Sequence, residues 1–204
     1  MRDREIRLAL HELLLAEHRN DRNTLVLDEL GLCQGAVRAD VAVVNGSLAG
    51  FEIKSDRDTL ERLPRQVEIY ERVFDYVTLI VGKKHATGIS KKIPSYWGIV
   101  VVSGSAAGLS LKTRRTAKRN KKVDPYAVAR LLWREEALEM LARHELDKGL
   151  RSKPRRELWQ ALATGLATEE LSDEVRKTLR ARADWRSDQP RSQCGDSSQS
   201  FAKS

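Results

Sequence analysis

The stretch RADVAVVNGSLAGFEIKS, residues 38–55, reads as two β-strands joined at Asn45-Gly46. Small and β-branched apolar residues fill both halves, and Asn-Gly is a hairpin signal. The second half ends on Glu52-Ile53-Lys54. Every second residue of a strand shares a face, so Glu52 and Lys54 project to the side that carries Leu48 and Gly50. Whether Asp40 joins them depends on the turn. A two-residue type I′ loop would pair Val44 with Ser47 and set Asp40 against Phe51, facing away from Glu52. A three-residue loop, Asn45 to Ser47, pairs Val44 with Leu48 and Asp40 with Glu52, and a one-residue bulge has the same effect on facing.

The chemistry of the side chains predicts the odd-length loop or the bulge. Asp40 and Glu52 would then present two hard oxygen ligands on adjacent strands, able to share one Mg²⁺, which takes one or two carboxylates together with waters and a substrate phosphate oxygen. Mn²⁺ can take the same place, and the Ile53 carbonyl is a further candidate metal ligand. Lys54, one pleat on, would orient or help deprotonate the attacking water and offset charge on the phosphorus.

Working outward, residues 3–19 are expected to be a helix with Ile6, Ala9, Leu10, Leu13 and Leu14 on one face and Glu17 oddly placed among them. Residues 24–30 and 36–44 with 48–54 read as an antiparallel meander. Leu60, Leu63, Val67, Tyr70 and Phe74 then recur at helical spacing. Ser55 or Asp56 is the expected cap of that helix, and Pro64 implies either a start near Leu63 after an irregular lead-in or a kink. Residues 76–81 and 97–102 are expected as buried strands, and 107–113 as an edge strand. From Asp124 onward helix formers dominate, with helices expected over 124–146, 154–164 and 168–183. The Ser- and Gln-rich residues after Arg186 read as a disordered tail.

These features resemble a known family. Asp40, then Glu52-Ile53-Lys54 on a hairpin, then a helix carrying Gln66 and Tyr70 four residues apart, is similar to the active-site motif of the PD-(D/E)xK nuclease superfamily and to the Gln-x-x-x-Tyr element of its bacterial recombination-type members. The run from Arg38 to Tyr70 also resembles an uncharacterised bacterial family placed in that superfamily. Ala39 stands where the motif name has Pro. The resemblance implies a restriction-endonuclease-like α/β core, a central mixed sheet flanked by helices, over 1–115. It also implies a Mg²⁺-dependent deoxyribonuclease with Asp40 and Glu52 on the metal, Lys54 assisting water attack, and Gln66 and Tyr70 approaching the substrate or the lysine. The further upstream acidic residue is assigned to Glu29, with Glu17 as second choice. A catalytically inactive nucleic-acid-binding protein and an RNA-processing nuclease are the alternatives.

Composition supports a polyanionic partner. Lys and Arg number 37 against 29 Asp and Glu in 204 residues, a net charge of +8, which favours nucleic acid through counterion release. The run KTRRTAKRNKK, 112–122, holds seven basic residues and no acidic one. Lys112, Arg114, Arg115, Lys118, Arg119, Lys121 and Lys122 are therefore expected to contact phosphates, with 116–123 as a basic linker. The helical extension, 124–186, carries Arg151, Lys153, Arg155, Arg156 and the span Arg176 to Arg182, and is expected either to contact nucleic acid or to serve packing or homodimer formation. The longest clean apolar run is too short for a membrane span, and Cys33 and Cys194 build neither a disulfide framework nor a zinc site, so a cytoplasmic protein without a membrane partner is expected. His11, His18, His85 and His144 show no metal-pair spacing.

Overall fold

A computed structural model describes residues 3–18, 21, 23–105 and 108–182. The expected tail, with Cys194, lies outside them. The chain runs α1 (Asp3–Glu17), β1 (Leu25–Leu32), β2 (Val37–Val44), β3 (Leu48–Lys54), α2 (Leu63–Val73), β4 (Tyr76–Gly82), the short α3 (Lys83–Ala86), β5 (Gly98–Ser105) and β6 (Gly108–Arg115), then α4 (Pro125–Ala129), α5 (Arg134–Arg143), α6 (Arg155–Gly165) and α7 (Thr168–Ala181). The six strands form one mixed sheet in sequential order. β1 to β3 pair antiparallel, β3, β4 and β5 run parallel, and β6 returns antiparallel. The fold is α/β, with helices on both faces of the sheet.

The hairpin register decides the site. Val44 pairs with Leu48, Val43 with Ala49 and Val41 with Phe51, so the loop is the three-residue Asn45–Ser47. Neither Asn45 nor Gly46 adopts the positive φ a type I′ turn requires. Instead the Asn45 side chain accepts the Ser47 N–H at 2.9 Å, and the Arg180 guanidinium holds the Asn45 carbonyl. A local side-chain bond and a tertiary one together override the Asn-Gly preference.

One sheet face packs on α1 through Val26, Val41, Val43, Ile53, Ile80 and Val102. The stripe on α1 is Ile6, Leu10 and Leu14, whereas Leu13 is exposed, so only part of the expected face is buried. The opposite face packs on α2 and on α4 to α7 in a single cluster that runs from Leu25 and Ala42 to Trp159 and Leu179. The helical extension therefore shares its core with the sheet. The helix expected over 124–146 is broken at residues 130–133. Carbonyls freed by the break accept from other elements, Leu132 from the Trp159 indole and Leu131 from Arg182, which satisfies buried acceptors that would otherwise be costly.

α2 begins at Leu63 with Pro64 in its first turn, the irregular-lead-in alternative. Asp58 binds the backbone and hydroxyl of Ser55, and Asp56 accepts the Lys84 N–H, so both acids fasten the 55–62 loop rather than cap the helix.

Gly50 shares the face of Glu52 because nothing larger fits. A Cβ there would lie 2.6 Å from the Phe74 ring, which is held edge-on by Tyr70 at 5.1 Å. Gly50→Ala is expected to cost about 1–3 kcal/mol by overpacking, lowering the melting temperature by roughly 3–10 °C. Thermal unfolding followed by circular dichroism checks this, and an unchanged midpoint would show that the ring yields freely.

Candidate functional site

Glu52 is the centre of the site and only 2% exposed. β3 delivers it against α2, where Gln66 and Tyr70 stand one turn apart on the buried face. Its carboxylate accepts from Lys54 Nζ at 2.6 Å, from the Gln66 amide and from the Tyr70 hydroxyl. Burial, then the negative charge of Glu52, pushes the Tyr70 hydroxyl well above its ordinary pKa, so it remains a donor. Tyr70 in turn stacks on Trp97 at 5.7 Å. Glu52 accepts only, so it fixes the Gln66 amide with its nitrogen toward the carboxylate. Gln66 Oε1 is left buried with no hydrogen-bond partner among the described residues. An orphaned acceptor in a polar cavity is a place for a water or a ligand donor.

Asp40 arrives by a different route. Leu25 and Leu27 share a core with Leu30 and Leu32, although the two pairs differ in strand parity, and the same holds for Ala42 and Ala39 on β2. Both strands change face at this level, where Glu29 has φ of 52°. The β2–β3 ladder ends at Val41 and Phe51. Beyond it the Asp40 carboxylate accepts the Ile53 N–H at 2.7 Å, in the position of a main-chain acceptor. The two strands part here, and a cavity of about 670 Å³ opens between them and α2. Asp40, Glu52, Ile53, Lys54, Gln66 and Glu29 all line it. Tyr70 reaches it only through Glu52.

Arg7 of α1, which no sequence motif singles out, closes the acidic side. Its guanidinium lies 3.0 Å from Asp40, 2.9 Å from Glu29, 3.4 Å from Asp3 and 3.7 Å from Asp28. The one signal for it in the sequence is the Asp3/Arg7 spacing beside buried Ile6. Burial alone would lower the Arg7 pKa, but Asp40, Asp3 and Glu29 outweigh it and the net shift is upward. Asp40 is raised to about 7, first by burial and then by repulsion from Glu52, against the Ile53 N–H and Arg7. Glu29 is thus placed in the site, whereas Glu17 is exposed on the last turn of α1, roughly 15 Å along the helix from Arg7.

Among the described residues no group of three or more His, Cys, Asp or Glu side chains is arranged to hold a metal ion. The donor set present is a pair, Asp40 and Glu52. It fits a hard divalent cation chemically: burial and then repulsion from Glu52 raise Asp40, Gln66 Oε1 is unused, and Mg²⁺ needs few protein ligands.

The basic run is divided between two places. β3, β4 and β5 end at the cavity end of the sheet and β6 starts there, so that Lys112 falls in the row of Lys54 (through Val101 and Val81) and Arg115 in the row of Glu52 (through Ile99 and Leu79), three strands across. Residues 116–123 are no free arm: the Lys118 N–H donates to the Tyr96 carbonyl and the Asn120 N–H to the Asp75 carbonyl. Arg115 binds the Trp97 and Pro94 carbonyls, Arg114 the Ala86 carbonyl, Lys122 pairs with Glu71 and Arg119 with Glu169. Lys112, Lys118 and Lys121 are exposed. The arginines of α7 and its C-cap are structural too, since Arg176 is buried on Asp75 at 3.0 Å and Arg182, just past the helix, binds Glu136. Arg151 pairs with Asp147, Lys153 with Glu157, and Arg155 covers Trp159. His85 is tied to the Asp58 carbonyl. No helix among the described residues is long and apolar enough to cross a membrane.

The family model described as Bacteriophage P4 protein cII matches residues 1–196. The chain belongs to the bacteriophage P4 protein cII family. Protein cII of Enterobacteria phage P4 is 26% identical over 182 residues, covering 89% of this chain and 68% of that protein. No solved structure matches the chain. The match includes both the cavity and the helical layer behind it.

The raised Asp40 carboxyl gives a pH signature. It ionises near 7 in the fold and near the ordinary carboxyl value of 3.8 when unfolded, so the folded state binds the extra proton between these values. Stability is thus favoured at low pH and lost as pH rises through 7. Asp40→Asn is expected to stabilise the protein above pH 7, by an amount on the order of 2–4 kcal/mol, with the gain shrinking toward pH 4. Urea denaturation of both proteins in chelator from pH 4 to 8 measures it, and a pH-independent difference would contradict the assignment.

Proposed function

We propose that this protein hydrolyses phosphodiester bonds in DNA using a metal-activated water, on a restriction-endonuclease-like core of the PD-(D/E)xK type. The observation that carries this is the convergence of Asp40, Glu52, Lys54 and Gln66 on one cavity, with Glu52 locked by Lys54, Gln66 and Tyr70. A carboxylate pair beside a lysine, in a basic protein of net charge +8, suits a phosphate-containing polyanion. The mixed sheet with a parallel β3–α2–β4 crossover behind the hairpin supports the core assignment.

In this reading Asp40 and Glu52 would hold Mg²⁺ or Mn²⁺, and the Ile53 carbonyl would be a third oxygen of the same set. The bound ion supplies Lewis acidity to the water and to the phosphoryl oxygen. Lys54 Nζ offers positive charge to the oxygens of the attacked phosphate and orients the water. Gln66 and Tyr70 fix the Glu52 carboxylate, and Gln66 Oε1 accepts a hydrogen from a water in the cavity. The Ile53 N–H bond holds Asp40 in line with β3. Arg7 neutralises the remaining acids, so the cavity floor is not wholly repulsive to phosphate. An inactive nucleic-acid-binding protein is favoured by one feature, the complete engagement of Glu52 by its own neighbours.

The discriminating experiment supplies single-stranded, duplex and branched DNA, and RNA, with Mg²⁺ or Mn²⁺. Cleavage is expected in the wild type and is expected to fall by about 10²–10³-fold in Lys54→Ala and Asp40→Ala, and to stop in chelator. Cleavage undiminished in both variants sinks the assigned site. Nucleic-acid binding without cleavage supports the inactive alternative, and cleavage of RNA alone reassigns the substrate.

A further inference from the structure

Three arginines ring the mouth of the cavity. Arg38 stands on β2 with a side chain 69% exposed, 3.8 Å from Glu29. Arg62 and Arg65 flank the start of α2, both exposed and without an ion-pair partner among the described residues. All three line the cavity. Its floor is deep: the Lys54 and Glu52 side chains are only 5% and 2% exposed. A volume of about 670 Å³ is on the scale of small-ligand pockets, about 300–1,000 Å³. No aromatic side chain lines it, which leaves charge rather than base stacking as the means of holding a strand. Residues 118–122, by contrast, are pinned at the other end of the sheet, with the Lys118 N–H on the Tyr96 carbonyl and the Asn120 N–H on the Asp75 carbonyl.

We infer that the cavity admits one DNA strand at a time, with Arg38, Arg62 and Arg65 gripping its phosphates, and that residues 118–122 of the basic run lie off the substrate path. The inference rests on the reading of the cavity as a phosphodiester-binding site. A continuous duplex is stiff over about 150 base pairs and cannot turn a backbone phosphate down to a floor that is almost wholly enclosed. A single strand, or a strand separated at an end or flap, bends in. Guanidinium groups at the rim meet the phosphates on either side of the one that descends, since they bind phosphate in fixed, often bidentate, geometry. Specificity for base sequence is not expected from such contacts.

The test is binding by the full chain in chelator, where turnover does not interfere, using a labelled single-stranded oligonucleotide and a blunt duplex of the same sequence. Fluorescence anisotropy is expected to show the single strand bound at least about tenfold more tightly. Arg62→Ala/Arg65→Ala is expected to weaken single-strand binding by about tenfold or more. Adding Arg38→Ala is expected to flatten the salt dependence by about 2 in slope relative to the wild type, near 0.7 for each phosphate no longer neutralised. Lys118→Ala/Lys121→Ala is expected to change binding by less than about twofold. All of these residues are surface-exposed, and an unchanged melting temperature verifies folding. Equal or tighter duplex binding, loss of binding in the lysine pair with retention in the arginine variants, or no DNA binding at all overturns the inference. Single-strand binding through the arginines with no cleavage in Mg²⁺ leaves it standing and removes only the hydrolytic reading.

Discussion

The buried carboxylate of Glu52 is the constraint around which the sheet and α2 are fitted together. An ionised carboxylate taken from water without partners would be prohibitively costly, so its acceptor sites must be filled by whatever packs above β3. Lys54 comes from the same strand, and Gln66 and Tyr70 come from α2. The two bonds from α2 fix its height and rotation over the sheet. They also explain why Gly50, one pleat earlier, must lack a side chain: the helix lies close enough for Phe74 to occupy its space.

A second adjustment follows from the first. The β2–β3 ladder stops at Val41 and Phe51, one pair short of Asp40 and Glu52. The strands change face at Glu29 and Asp40, and Asp40 replaces a main-chain acceptor for Ile53. The parting of β2 and β3 that results is the cavity itself. Arg7, brought in by α1 from the other face of the sheet, compensates the charge concentrated there. Irregular strands at functional sites are a recurrent device for aiming a side chain, and here the irregularity sits where two carboxylates meet.

The C-terminal helices serve the same core. Arg176, Arg180 and Arg182 read in the sequence either as a nucleic-acid surface or as packing residues, because basic residues on a helix are normally solvated. Each instead binds an acid or a carbonyl that the sheet or α5 leaves inside: Asp75, Asn45 and Glu136. A buried charge must be paired, so these arginines are fixed to the interior while those around the cavity mouth remain open. The net positive charge belongs to two populations with different tasks, and only position in the fold separates them.

Much of this is legible in the chain. Alternation in residues 38–55 marks the hairpin, the spacing of Leu63, Tyr70 and Phe74 marks α2, and the chemical need to face Asp40 toward Glu52 selects the three-residue loop against the local turn preference. Local periodicity records which face is apolar, and so it determined the element order and the sheet-plus-helix class, whereas the grouping of Gln66 and Tyr70 with Asp40, Glu52 and Lys54 came from the motif's resemblance to a known family. It did not record the face change at Glu29, the arrival of Arg7, the break at residues 130–133 or the true positions of the basic residues. Those depend on partners far away in the chain, as between Arg7 and Asp40 or Arg180 and Asn45. Sheet pairing decided the last point: it sets Lys112 and Arg115 in the rows of Lys54 and Glu52, three strands across, and leads residues 118–122 to the opposite end, and no composition or spacing along one chain encodes that until the sheet is assembled.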